Sequence, residues 1–168
     1  YMGYDFRNCK FRRWKTDATS WDGITTFVKG NFVNYSGFIY RALQKSCQLQ
    51  IDTVTLTGTS GTANIEAAGG LTKLVTFNVD LTTTASDFVT AFAVDYLAQG
   101  IILTSSVADL IFTDNVIGTG FTSPTITNAS GNLAGTVANT QLNIAAQTPE
   151  NGSDFWVQLL NLSLTEYW

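Results

Sequence analysis

What most constrains this chain is where its aromatic rings stop. Residues 1 to 46 carry eleven Phe, Tyr and Trp residues, residues 147 to 168 carry four, and the hundred between them carry six. All four tryptophans, Trp14, Trp21, Trp156 and Trp168, lie in the flanks. The middle is a threonine, alanine, glycine and valine tract. Two ends of like composition around an unlike centre predict one domain interrupted by another, because a host fold accepts insertion at an exposed loop tip. The expected division is a discontinuous aromatic β module, residues 1–47 with 147–168, and an inserted threonine-rich α+β domain, residues 48–146. A module with so few residues has a small core, so large rings must supply most of its buried area.

Charge divides the chain as well. Residues 1 to 46 hold eight of the nine basic residues against Asp5, Asp17 and Asp22, a net of +5. From residue 47 onward Lys73 stands against ten carboxylates, a net of −9, of which −6 falls in residues 47 to 146. There is no histidine, so the chain lacks both the side chain that titrates near neutrality and the commonest metal ligand. The expectation is a protein that is not an enzyme, with no catalytic residues, no cofactor and no metal. Apolar runs are too short and too threonine-rich to cross a bilayer, and no basic start leads into an apolar stretch, so a soluble chain with no membrane partner is expected. The first residue is Tyr1 and the only methionine is Met2, from which a missing upstream segment is expected. Cys9 and Cys47 can pair, but two cysteines do not build a disulfide framework, and two buried or idle thiols are the expectation.

Local signals fill in the elements. Phe32 to Leu43 reads as a hairpin around Ser36-Gly37, a dipeptide suited to the positive φ of a tight turn. Ile24 to Val28 reads as a short strand. Thr148 to Gly152 reads as a turn before an apolar strand from Asp154 to Leu159. In the middle, strands are expected from Ile51, through Ala63 to Glu66, over Leu71 to Asp80, and at 101–104, 110–113, 124–127 and 136–143. Thr84 with Asp87 predicts a capped helix carrying Phe88, Ala91, Phe92, Asp95 and Tyr96 at helical spacing and ending at Gly100. One helix on an antiparallel sheet is the economical arrangement, so the fold class is mainly β (α+β).

Lys29-Gly30-Asn31-Phe32-Val33-Asn34-Tyr35-Ser36-Gly37-Phe38-Ile39-Tyr40-Arg41-Ala42, followed much later by Pro149 and Trp156, resembles the small aromatic β module of the carbohydrate-binding type found in chitinases and in phage tail and fibre proteins. In that family a few residues separate the alanine strand from the proline and tryptophan; here about a hundred do. Ile51 to Ile65, Leu97 to Ile101 and Gly120 to Asn128 resemble a domain of virion proteins from phages of Bacteroidetes, including the crAss-like group. The resemblance implies a virion location and a structural part, a capsid decoration, head fibre or tail-associated subunit. It also implies other virion proteins as partners and a homo-oligomer, with a trimer as the expected state.

Two residue groups are candidates for binding. Trp21, Tyr35, Tyr40 and Trp156 offer flat rings for stacking on a pyranose of a host surface glycan, with a core role as the alternative at each position. Arg7, Lys10, Arg12 and Arg13, with Trp14 interleaved, invite a nucleic-acid reading. A net charge of −4 and a pI near 4.5 oppose it, so no nucleic-acid partner is expected. These residues are assigned instead to an assembly interface with an acidic protein surface, such as the insert of a neighbouring copy. Asp17, Asp22, Glu150, Asp154 and Glu166 have no glycosidase signature around them and read as turn and cap residues. The glycine-rich stretches 58–61 and 118–120 lack a phosphate loop's lysine and read as hairpin turns.

Overall fold

The computed structural model describes residues 18–67, 69–150 and 153–161. The protein is mainly β: among the described residues there are three sheets and a single α-helix. The chain divides into two compact units: residues up to Cys47 together with those from Ala145 onward, and Gln48–Ile144 between them.

The first unit is a four-stranded sheet in the order β1-β2-β3-β11, built from β1 (Thr19–Ser20), β2 (Phe32–Tyr35), β3 (Phe38–Ala42) and β11 (Trp156–Asn161). β2 and β3 are the hairpin around Ser36-Gly37, whose φ values of 49° and 79° match the twist of the flanking strands. β11 runs antiparallel to β3, placing Trp156 opposite Ala42 and Gln158 opposite Tyr40. Phe27, Val33, Tyr40, Ala42 and Trp156 form the buried cluster of this unit.

Ile24 to Val28 is not a strand. The Asp22 carboxylate accepts the backbone N–H groups of Ile24 at 3.0 Å and Thr25 at 2.7 Å, which curls the chain into a turn. Ile24 is then 71% exposed, while Phe27 is anchored by an exchange with Ser46, backbone N–H to Oγ and N–H to carbonyl, both at 3.0 Å. Cys47 is a buried free thiol within 3.4 Å of the Thr25 carbonyl oxygen. Cys9 lies outside the described residues.

The second unit contains β4 (Ile51–Thr57), β5 (Gly61–Ala67), β6 (Leu71–Thr76), α1 (Leu81–Leu97), β7 (Ile101–Ser106), β8 (Asp109–Asp114), β9 (Thr125–Gly131) and β10 (Ala134–Gln141). These make two sheets where one was expected: β10-β4-β8-β7 and β6-β5-β9, both antiparallel. Alternation sends Val54 and Leu56 of β4 and Leu110 and Phe112 of β8 inward. α1 lays Ala85, Phe88 and Tyr96 against this core, with the Tyr96 and Phe112 rings edge to face at 5.3 Å.

Three local expectations give way to the packing. Helix α1 begins at Leu81, with Asp80 as its N-cap accepting the Thr83 N–H at 2.7 Å. Thr84 is buried inside the first turn, donating its hydroxyl to the Asp80 carbonyl at 2.7 Å. Strand β6 stops at Thr76 because Val79 adopts φ +56° and turns out to 82% exposure. Residues 58–61 are not a hairpin turn, since β4 and β5 belong to different sheets. They are a corner that runs alongside a second corner at 130–133, with Thr57 opposite Ala134 and Gly61 opposite Gly131. A Cβ at Gly58 or Gly61 would overlap the carbonyl oxygen of Asn132 or Ser130, so only glycine permits so close an approach. Asn132 Oδ1 accepts the N–H groups of Thr59 and Ser60, each at 2.9 Å, and locks the two corners together. Residues 118–120 lie in the connection from β8 to β9, which do not pair, so they are not a hairpin turn either.

Candidate functional site

The four rings assigned to sugar stacking separate by depth. Trp156 is fully buried, its indole N–H donating to the Gln147 carbonyl at 2.8 Å and its ring meeting Phe27 edge to face at 5.8 Å. Tyr40 is 6% exposed, and burial, followed by the negative charge of Glu150, pushes its hydroxyl above the ordinary phenol range. Neither ring has a face to offer a sugar. Both are corrected to core residues, as the ring-heavy composition of so small a sheet requires. Trp21 and Tyr35 are half-buried and pack edge to face, with centroids 5.1 Å apart. Tyr35 and Tyr40 share one face of the hairpin, Tyr40 opposite the buried Val33 and Tyr35 opposite Phe38 beside the turn, so position along the strands sets their depth.

Arg7, Lys10, Arg12, Arg13 and Trp14 lie outside the described residues, as do Asp17 and Glu166. Of the remaining flank carboxylates, Asp22 is a turn former whose hydrogen bonds from the Thr25 hydroxyl and backbone, and then from Ile24, hold it below the ordinary carboxylate range. Glu150 and Asp154 are exposed.

A polar cluster inside the second unit has no sequence signature. Asp52 is fully buried on β4 and Asp114 is 4% exposed on β8. Asp52 accepts Asn139 Nδ2 at 2.6 Å and Gln50 Nε2 at 2.8 Å; Asp114 accepts Asn143 Nδ2 at 3.0 Å and the Val116 N–H at 3.0 Å. The amide oxygens are used too: Gln50 Oε1 takes the Phe121 N–H, and Asn143 Oδ1 takes the Gly118 N–H, both at 3.0 Å. Each oxygen that a cation would need is turned toward an N–H donor. The chemistry of the cluster is structural: it ties the 115–124 connection to the ends of β4, β8 and β10. Among the described residues no group of three or more metal-ligating side chains is brought together.

A groove of about 430 Å³ lies between the edge strand β6 and α1, lined by Leu74, Phe77, Asp87, Phe88, Ala91 and Phe92 among others. Its rim is fixed at one end by Asn78 Nδ2 donating to Asp87 at 2.8 Å. Beside it, Lys73 pairs with Asp95 at 2.5 Å and sits 5.1 Å over the Phe92 ring. No helix among the described residues is long and apolar enough to cross a membrane. No protein-family model, curated protein or solved structure matches this chain.

Proposed function

We propose that this chain is a non-enzymatic structural component of a phage particle, a decoration, fibre or tail-associated subunit that works as a homo-oligomer among other virion proteins. The observation that carries the reading is where the virion-like segments fall. Ile51 to Ile65 and Gly120 to Asn128 supply β4, β5, their glycine corner and most of β9, and they frame the joint locked by Asn132. The distinctive residues are spent on construction: glycines that let two backbones approach closely, and an asparagine that fastens them. An exterior of threonine-rich strands with little charge fits a part that is assembled rather than one that turns over substrate. Antibodies against the chain are expected to label intact particles of the phage that encodes it at regular positions. Purified particles that lack the chain would contradict the reading.

A second reading, a glycan-binding attachment module, is favoured by one observation: Trp21 and Tyr35 are paired, half-buried rings at the margin of the aromatic cluster. Titration with oligosaccharides tests it. Affinity lost in a folded Tyr35→Ala variant supports attachment, and no affinity in the unsubstituted protein removes it.

A further inference from the structure

β9 and β10 differ from the other strands of the second unit. β4, β5, β6, β7 and β8 each bury at least one side chain; along β9 and β10 no residue is buried and most are exposed on both faces. Each lies at the outside of its sheet, β10 beside β4 and β9 beside β5, with its second edge unpaired in the order of strands. Apart from Ile126 of β9, which packs part-buried against the core, the two strands place little apolar surface inside and draw little hydrophobic stabilisation from their own chain.

The same stretch is bare of charge. From Asn115 to Pro149 there is no Asp, Glu, Lys or Arg, and neither strand contains proline. Exposed edges are ordinarily guarded by lysine, proline or shortness, because unpaired N–H and C=O groups are a template for another strand. Here the irregularities fall at Ala129 of β9 and near Thr140 of β10, leaving Ala134 to Asn139 in regular register. Six consecutive residues of unguarded, small-residue edge remain.

We propose that the β10 edge over Ala134–Asn139, with the outer faces of β9, is the contact between copies of this chain. This rests on the assembly role above and names its surface. Charge selects the occupant. The unit Gln48–Ile144 carries seven carboxylates against Lys73, so two copies repel wherever those groups meet and approach without penalty where none exist. A contact between identical patches places each residue against its own kind or a near neighbour, which an uncharged strand tolerates and a charged one does not. Ala134, Thr136 and Ala138 are small enough for two such edges to close, and strand addition supplies the main-chain hydrogen bonds.

The test is the solution mass of the full chain by analytical ultracentrifugation, with amide hydrogen exchange over 134–139. The variant Thr136→Lys/Val137→Lys puts one cation on each face of β10, and Thr136→Ser/Val137→Thr is its conservative control. The unsubstituted chain and the control are expected to be oligomers with slow exchange across 134–139. The lysine variant is expected to dissociate at least about tenfold more readily and to lose that protection. Ala138→Lys repeats the test with a single exposed change should the double variant not fold. An oligomer indifferent to these lysines overturns this inference and leaves the assembly role standing. A monomeric unsubstituted chain overturns both.

Discussion

Trp156 stands opposite Ala42 across the β3–β11 ladder, with its indole N–H held by the Gln147 carbonyl at 2.8 Å. One residue therefore closes the sheet and fills its core, and both come from the segment that follows the insert. Trp156→Ala is expected to cost the aromatic unit about 3–5 kcal/mol, the usual range for deleting a buried large ring. Trp156→Phe should cost less, keeping most of the volume while leaving the Gln147 carbonyl without its donor. Denaturant unfolding followed by amide exchange in β3 distinguishes the two.

Asp52 is the keystone of the buried polar cluster. Asp52→Ala leaves the buried Gln50 amide with only the Phe121 carbonyl as acceptor and removes the tie to the exposed Asn139, and about 2 kcal/mol of destabilisation is expected from a buried donor left part-satisfied. Exchange should quicken in the 115–124 connection, which Gln50 holds through Phe121. Unchanged stability would show that the cluster pins nothing.

Tyr96 presents the opposite case. Its side chain is fully buried and, among the described residues, its hydroxyl has no hydrogen-bond partner; burial, then the neighbouring Asp95, raises its pKa, so it stays neutral. Tyr96→Phe removes an unsatisfied polar group while keeping the edge-to-face contact with Phe112, and is expected to stabilise the protein by about 1 kcal/mol. A loss of melting temperature would contradict this.

Asp80 gives a pH signature. The Thr83 backbone N–H, first among its partners, lowers the Asp80 pKa below the ordinary 3.8. A carboxylate whose folded pKa is depressed contributes stability that is full above the unfolded value and is lost as pH falls through the folded one. The contribution of this cap should thus be constant near neutrality and disappear on acidification below about pH 4. Asp80→Asn keeps a capping oxygen but cannot titrate, so its melting temperature should fall less steeply than that of the unsubstituted protein over that acid range. Parallel curves would contradict the assignment.

The sequence shows its short-range chemistry more readily than its long-range pairings. Ser36-Gly37 announces the β2–β3 hairpin because the turn needs two positive φ values, and those residues supply them. The helical spacing of Phe88, Phe92 and Tyr96 announces α1, but the cap expected at Thr84 lies at Asp80. Asp80 and Thr84 are both competent capping residues, and the choice falls to Asp80 because Thr84 is drawn into the core. The second sheet was illegible: Gly58 and Gly61 look like hairpin glycines until Asn132 is brought against them from a distant part of the chain. The polar cluster was illegible for the same reason, since Asp52, Asp114 and Asn143 meet only after β4, β8 and β10 have found their register. For the sugar candidates, composition said that most rings had to be core, and depth in the sheet sorted Trp156 and Tyr40 from Trp21 and Tyr35.

The ring-rich sheet is completed by β11, in the segment returning after Ile144, and is expected to form without the insert. Ser46 and Gln147 are joined in that sheet's unit by a 2.8 Å backbone hydrogen bond, so a short glycine linker from Cys47 to Ala145 can replace Gln48–Ile144. The direct measurement is thermal unfolding of that excised chain, followed by tryptophan fluorescence. A cooperative transition with Trp156 shielded from water before it is the expected result. A chain with no transition, its tryptophans solvated at every temperature, would contradict the account.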